Sequence, residues 1–322
     1  MIVRWGLDSL SEVLHELSVR RPLLITSRRW RDVELPVAAR FDGVRPHAEI
    51  DSVRAATAAA ADADGLVALG GGSAIDTAKA VSAERDLPIV SIPTTYSGAE
   101  WTPFFGVRDP ATRTKGGGMG ARTEGIVYEP ELTLGLPREP TGGTALNALA
   151  HCAEALYVPG ATAELDRDAL AGAERISRSL PAVLENGRDR EARRALLEGA
   201  AHAGSALRAG MGVGHAMAQA LGGRYGLSHG TMNAVCLPPA LRFNREAAAD
   251  ALARYGEALG GDPVDCTEEL ARLAGARPLR EYAVPREDLP ELAEATAARP
   301  AAKGNPRPAP ADAIVELFES VW

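Results

Sequence analysis

Gly65-Leu66-Val67-Ala68-Leu69-Gly70-Gly71-Gly72-Ser73-Ala74-Ile75-Asp76-Thr77-Ala78-Lys79 runs from a short apolar segment through three glycines into an alanine-rich helical stretch. An apolar run without alternation is the pattern of a strand buried on both faces, as in a parallel sheet covered by helices. Three glycines let the backbone turn sharply and admit a ligand where a Cβ would block it. The amides that open the next helix then face that ligand, which suits a pyrophosphate. The spacing differs from G-x-G-x-x-G, so the usual dinucleotide fingerprint does not describe it. A plainer alternative is that the glycines merely end a strand, with Ser73 and Asp76 as a capping pair.

The same rhythm extends outward from this turn. Pro22-Leu23-Leu24-Ile25-Thr26 reads as a buried strand, Ile50 to Ala63 as a helix, and Leu87 to Pro93 as a third strand. Gly125-Ile126-Val127-Tyr128 reads as the last strand of the region. Strand and helix in alternation predict a parallel α/β domain over residues 1–140. After Pro137 strand-like runs disappear. Asp166 to Leu180, Arg190 to Ala209, Ala247 to Gly260 and Ala311 to Val321 carry apolar stripes at helical spacing, so residues 141–322 are expected to be all-helical.

The chain has 322 residues, of which 46% are hydrophobic and 24% charged, which excludes a disordered or fibrous class and suits two packed units. A net charge of -8 argues against nucleic acid or an anionic membrane as partner. No apolar run approaches the roughly 20 residues that span a bilayer. Met1 to Leu10 contains Arg4 and Asp8 and does not read as a signal peptide. Cys152, Cys236 and Cys266 are odd in number and widely spaced, as for reduced thiols in a cytoplasm. The expected partner is a small molecule, and the Ala- and Leu-rich helical surfaces point to a homodimer. Lysine occurs only at 79, 115 and 303.

Several polar groups stand where chemistry would need them. Pro93-Thr94-Thr95-Tyr96-Ser97-Gly98 places hydroxyls beyond the carboxyl end of a strand, where open parallel sheets bind ligands; a simple turn would look the same. Lys115 lies in a glycine-rich stretch (Gly116, Gly117, Gly118, Gly120) and could reach a ribose or phosphate, or simply be solvated. Asn147 and His151 are four apart in a helical segment, as are His215 and Gln219, and His229 follows a short loop. An Asp-x3-His pair with two further histidines would form a divalent-metal site, but here the carboxylate position holds an amide, a poor ligand. Singly, each of these histidines also fits a packing role.

Taken together these residues resemble the iron-containing alcohol dehydrogenase superfamily, most closely the maleylacetate reductases. Gly70 to Lys79 is similar to the cofactor loop, and Pro93 to Glu100 to the P-T-T-Y-[AS]-G-[AS]-E segment. Ala145 to Tyr157 is similar to the N-A-x-A-H-x-x-E-x-L-Y helix, Glu129 to Pro137 to the close of the nucleotide domain, and Asn305-Pro306-Arg307-Pro308 to the tail. The resemblance covers nearly the whole chain. It implies a Rossmann-like, dehydroquinate synthase-like α/β domain followed by an all-α domain. It also implies an NAD or NADP cofactor held by Gly70, Gly71, Gly72, Ser73, Asp76, Thr94, Thr95, Ser97 and Lys115. His151, His215, His229 and Asn147 would line the substrate cleft between domains, with Tyr96 a further candidate for proton delivery. No metal is expected, since the reductases resembled carry Asn where the metal-dependent members carry Asp. Gln219 stands where members commonly place a second histidine, and an amide cannot act as a general acid. The arginines of Ser27-Arg28-Arg29-Trp30 could accept a 2′-phosphate. The implied activity is hydride transfer from a reduced nicotinamide to a carbonyl or conjugated oxo-acid. The alternatives are a metal-dependent (iron or zinc) alcohol or polyol dehydrogenase, and a repurposed biosynthetic member such as a sugar-phosphate cyclase.

Overall fold

The stretch that follows β4 (Gly65–Gly70) turns at once into a long helix, α3 (Gly72–Arg85), and the two form the centre of a parallel sheet. The computed structural model describes residues 1–112 and 114–322, with the side chains of residues 114 and 115 outside the description. Two compact units emerge: residues 1–95 with 99–133, and residues 96–98 with 134–322. Their division falls at 133/134 rather than at 140/141, because Arg138 already begins a helix and Pro137 supplies its extended N-cap. A second difference is that residues 96–98 pack with the helical unit.

The first unit contains β1 (Ile2–Trp5), α1 (Leu10–Glu16), β2 (Pro22–Thr26), β3 (Ala39–Phe41), α2 (Ile50–Ala59), β4 and α3. These are followed by β5 (Pro88–Pro93), β6 (Phe105–Asp109), β7 (Thr114–Gly118) and β8 (Arg122–Tyr128). Six strands form one sheet in the order β1-β8-β5-β4-β2-β3, each neighbouring pair parallel. The unbroken apolar runs are explained by burial on both faces. Leu23, Ile25, Leu66, Ala68 and Ile89 pack on one side with Ile75, Ala78 and Val81 of α3. Leu24, Val67, Leu69, Val90 and Ile92 pack on the other with Leu10 and Val13 of α1.

Two features were not foreseen. β1 adds an edge strand alongside β8, its polarity broken by Arg4, which pairs with Glu16. The glycine-rich stretch read as a loop is instead β7, antiparallel to β6. Gly118 is there because a Cβ would collide with the Phe105 ring, so the glycine serves close packing rather than turning.

The second unit is built from helices α4 (Arg138–Ala155), α5 (Ala163–Glu185), α6 (Arg190–Ala206), α7 (Val213–Tyr225) and α8 (His229–Asn244). It continues with α9 (Ala249–Leu259), α10 (Pro263–Leu273), α11 (Leu289–Ala297), α12 (Pro300–Lys303) and α13 (Ala311–Glu319). α4 is buried along nearly its whole length, so it has no polar face to advertise an amphipathic helix. The amphipathic α5, α6, α9, α10 and α13 surround this interior. No helix among the described residues is long and apolar enough to cross a membrane.

Candidate active site

In the first unit, β4 and β5 are adjacent, with Gly70 opposite Pro93, so the glycine turn and Thr94-Thr95 leave neighbouring strand ends side by side. The Thr94 amide donates to the Gly70 carbonyl at 3.0 Å and ties the two loops together. Gly70 has φ of 150°, which a side chain would resist. A Cβ on Gly71 would lie 2.8 Å from Thr95 Cγ2, so the missing side chain is what lets these loops meet. Gly71 is also the N-cap of α3, without any side-chain cap.

The capping-pair alternative for Ser73 and Asp76 is overturned. Because α3 already begins at Gly72, Ser73 lies inside its first turn, and its Oγ accepts from the His47 amide at 2.9 Å. Asp76 accepts from the Gly106 amide at 3.2 Å and so braces β6. Lys79 is fully buried and donates to the carbonyls of Ala99 and Phe104 and to Thr102 Oγ1. Burial lowers its pKa to about 8, against the pull of Asp76 and Glu100. The backbone of Lys115 pairs with Arg108 in β7, and its side chain lies outside the described residues.

In the second unit α4, α7 and α8 bring three imidazoles together. α4 and α8 cross in near backbone contact, since a Cβ on Gly230 would lie 2.6 Å from the Gly143 carbonyl carbon. One turn along from that crossing, Asn147 Oδ1 accepts from Asn233 Nδ2 at 2.7 Å. The His151 and His215 rings stack at 4.4 Å between centroids, and His229 is tilted 5.9 Å from His215. Thus Asn147, His151, His215 and His229 do converge, as their spacing implied.

Hydrogen bonds set the state of these rings. The Ser97 carbonyl can only accept, so the Asn147 amide turns its nitrogen toward it at 3.0 Å. The same nitrogen lies 2.9 Å from His151 Nε2, which is therefore the acceptor, leaving the proton on Nδ1. His151 is held well below the usual histidine pKa by burial, then by His215 and His229, with the Ser97 backbone opposing. His151 thus sits neutral in the site. Asn233 Nδ2 also lies 3.1 Å from His229 Nε2.

Tyr96 is placed differently from its three-histidine companions. Its side chain is fully buried, and its hydroxyl accepts from Arg193 Nη1 at 3.1 Å. Arg193 is itself buried and also bonds Thr141 Oγ1, the Gly187 carbonyl and the Leu136 carbonyl. The phenol thereby fixes the 96–98 segment whose Ser97 carbonyl orients Asn147. Gln219 is half-buried and makes only a 3.8 Å contact to Met211 Sδ.

Two residues of the cluster carried no expected role. Asn233 stands four residues after His229, the same spacing that singled out Asn147 and His151. Glu154, three residues after His151, is fully buried, and its Oε2 lies 2.6 Å from His215 Nδ1.

A divalent metal would need lone pairs and negative charge from this set. Instead His151 Nε2 accepts from one amide, His229 Nε2 faces another, and the Asn147 oxygen is taken by Asn233. The Glu154 carboxylate is committed to His215 Nδ1 and to backbone amides. These residues do not fit a transition-metal ion in this arrangement.

Comparison with known proteins agrees with this geometry. Residues 141–322 match the C-terminal part of the Fe-containing alcohol dehydrogenase family, and residues 3–123 match iron-containing alcohol dehydrogenase. The chain is 34% identical to a maleylacetate reductase of Pseudomonas knackmussii, over 99% of this chain and 95% of that protein. It is 35% identical to one from Burkholderia cepacia with the same coverages. The crystal structure of maleylacetate reductase from Rhizobium sp. strain MTP-10005 superposes with a TM-score of 0.91 at 30% identity, covering 100% of this chain and 95% of that one.

Proposed function

The chain belongs to the iron-containing alcohol dehydrogenase family, and on that premise we propose that it is a metal-independent reductase of the maleylacetate reductase type. It is an NAD(P)-dependent oxidoreductase. A hydride passes from the dihydronicotinamide to a carbonyl or conjugated carbon of a small oxo-acid, and a proton completes the product. Negative charge gathers on the substrate oxygen as the hydride arrives, so donors must be aimed at it in advance. The observation that carries the reading is the cluster of three imidazoles whose polar partners are amides and one buried carboxylate. Such a set can supply N–H donors without the anionic ligand that a dication would require. His215 is the member best suited to the task, because its Nε2 is buried and without a hydrogen-bond partner.

Gly70, Gly71, Gly72, Ser73, Thr94 and Thr95 hold the nucleotide in this reading, supported by the uncapped start of α3 beside the end of β5. Asp76 supports the site by bracing β6. Arg28 and Arg29 follow β2 in a short helical turn and favour acceptance of NADPH as well as NADH. A homodimer acting in the cytoplasm completes the proposal, and the three free thiols suit such a compartment. The test is loss of reduced-nicotinamide absorbance when purified protein is mixed with NADH or NADPH and maleylacetate or related oxo-acids. Turnover is expected. Tight nucleotide binding with no turnover on any oxo-acid would instead favour a repurposed biosynthetic enzyme.

A further inference from the structure

Glu154 comes from α4, yet its carboxylate is wrapped by the start of α7. Oε2 accepts from the Gly212 amide at 2.6 Å and lies 2.6 Å from His215 Nδ1; Oε1 accepts from the His215 amide at 3.3 Å. Both Glu154 and His215 side chains are wholly inaccessible to solvent. The Met211-Gly212-Val213-Gly214-His215 sequence is shaped for this contact. A Cβ on Gly212 would lie 3.1 Å from Glu154 Oε1, and one on Gly214 would lie 3.0 Å from it. The remaining amide of that turn, Val213, donates to Asn305 Oδ1 at 3.2 Å. The first turn of α7 therefore spends its orphan amides on two buried side chains from distant parts of the chain.

A carboxylate that already accepts from two backbone amides can only accept from the imidazole. His215 Nδ1 must then be the N–H, and Nε2 is left as the other face of the ring. That nitrogen is buried and unpaired. We propose that Glu154 is a positioning residue for the reduction: it sets the tautomer and tilt of His215 so that Nε2 alone is offered to the substrate oxygen. This rests on the reductase reading above. When hydride adds to the carbon, the C=O π pair moves to oxygen, and the proton it takes comes from His215 Nε2–H. The ring is left neutral with its Nδ1–H still on Glu154, which stays a carboxylate throughout, and solvent restores the lost proton. Serine-hydrolase triads use a carboxylate behind a histidine in this way, and there the wrong tautomer is costly.

The test pairs one variant with one measurement on the unaltered enzyme. Glu154→Gln removes the obligate acceptor. It is expected to lower kcat by about 10²-fold, within the range for lost partners behind a functional histidine. KM for oxo-acid and nucleotide should stay within about threefold of the parent, since ground-state binding is untouched. Far-UV circular dichroism and nucleotide fluorescence titration verify that the variant is folded. A folded variant with kcat within about threefold of the parent overturns the proposal. Should the variant fail to fold, nitrogen-15 histidine labelling of the parent decides. His215, assigned by loss of its signals in His215→Asn, must show a protonated Nδ1 coupled to a low-field proton; a deprotonated Nδ1 overturns the proposal. The spectrum needs no substrate, so absence of oxo-acid turnover in the parent would sink the reductase reading without touching the Glu154–His215 geometry.

Discussion

Asn147→Asp exchanges one atom group for another of the same shape, and the structure says what that exchange costs. The amide is 3% exposed, donates to the Ser97 carbonyl and to His151 Nε2, and accepts from Asn233. A carboxylate donates nothing. His151 can recover by moving its proton to Nε2 and donating to the new oxygen. The Ser97 carbonyl cannot, and is left facing an acceptor. One orphaned buried acceptor costs about 1–3 kcal/mol, and a buried charge with a neutral amide as its main donor adds to that. A total of about 2–4 kcal/mol, at roughly 2–4 °C per kcal/mol for a unit of this size, lowers Tm by about 4–15 °C. Thermal melts followed by circular dichroism at neutral pH read this directly.

The pH dependence supplies a second signature. In the parent, burial and the neighbouring imidazoles hold His151 well below its ordinary 6.5. The unfolded chain thus binds a proton that the folded one refuses, and stability is lost as pH falls below 6.5, by up to about 1.4 kcal/mol per pH unit. In Asn147→Asp the adjacent anion favours the charged ring, so the deficit relative to the parent narrows as pH falls. A Tm within about 1 °C of the parent at neutral pH, or a deficit that widens in acid, would refute the hydrogen-bond assignment.

His215→Ala should lower turnover by roughly 10²–10³-fold, the scale of losing one donor to a developing oxyanion; near-normal turnover in a folded variant would remove His215 from the chemistry. Gly71→Ala brings a Cβ to 2.8 Å from Thr95 Cγ2 and should weaken nucleotide binding by about tenfold, measured by fluorescence titration, with little change in Tm. Prolonged dialysis against a strong chelator should leave activity unchanged, because the lone pairs a dication needs are engaged by amides; loss of activity restored by iron or zinc would show that the amides reorient.

How much of this was legible in the sequence depended on what each residue had to satisfy. Leu23 to Ile25 and Leu66 to Leu69 announced their strands because both faces are buried and every position is apolar. β1 was hidden by Arg4, an edge-strand residue paired outward to Glu16. β7 was hidden by its glycines, which the Phe105 ring demands. The three histidines could be grouped from spacing and resemblance, but their protonation could not, since that is decided by the Ser97 carbonyl through Asn147. Asn233 repeated the i, i+4 spacing and could have been found the same way. Glu154 could not, because its partners lie 58 and 61 residues away on another helix. The expected capping pair failed for a local reason: once α3 starts at Gly72, Ser73 is one residue too far along to cap it.

The stacked rings of His151 and His215, 4.4 Å apart, also limit how the enzyme can be charged between turnovers. Two imidazolium ions at that separation, shielded from water, would repel strongly. The pair has room for a single excess proton, and once spent it must be reloaded from outside before the next round. A reductase wired this way should deliver protons one at a time, with reloading rather than hydride transfer setting the pace when buffer is scarce.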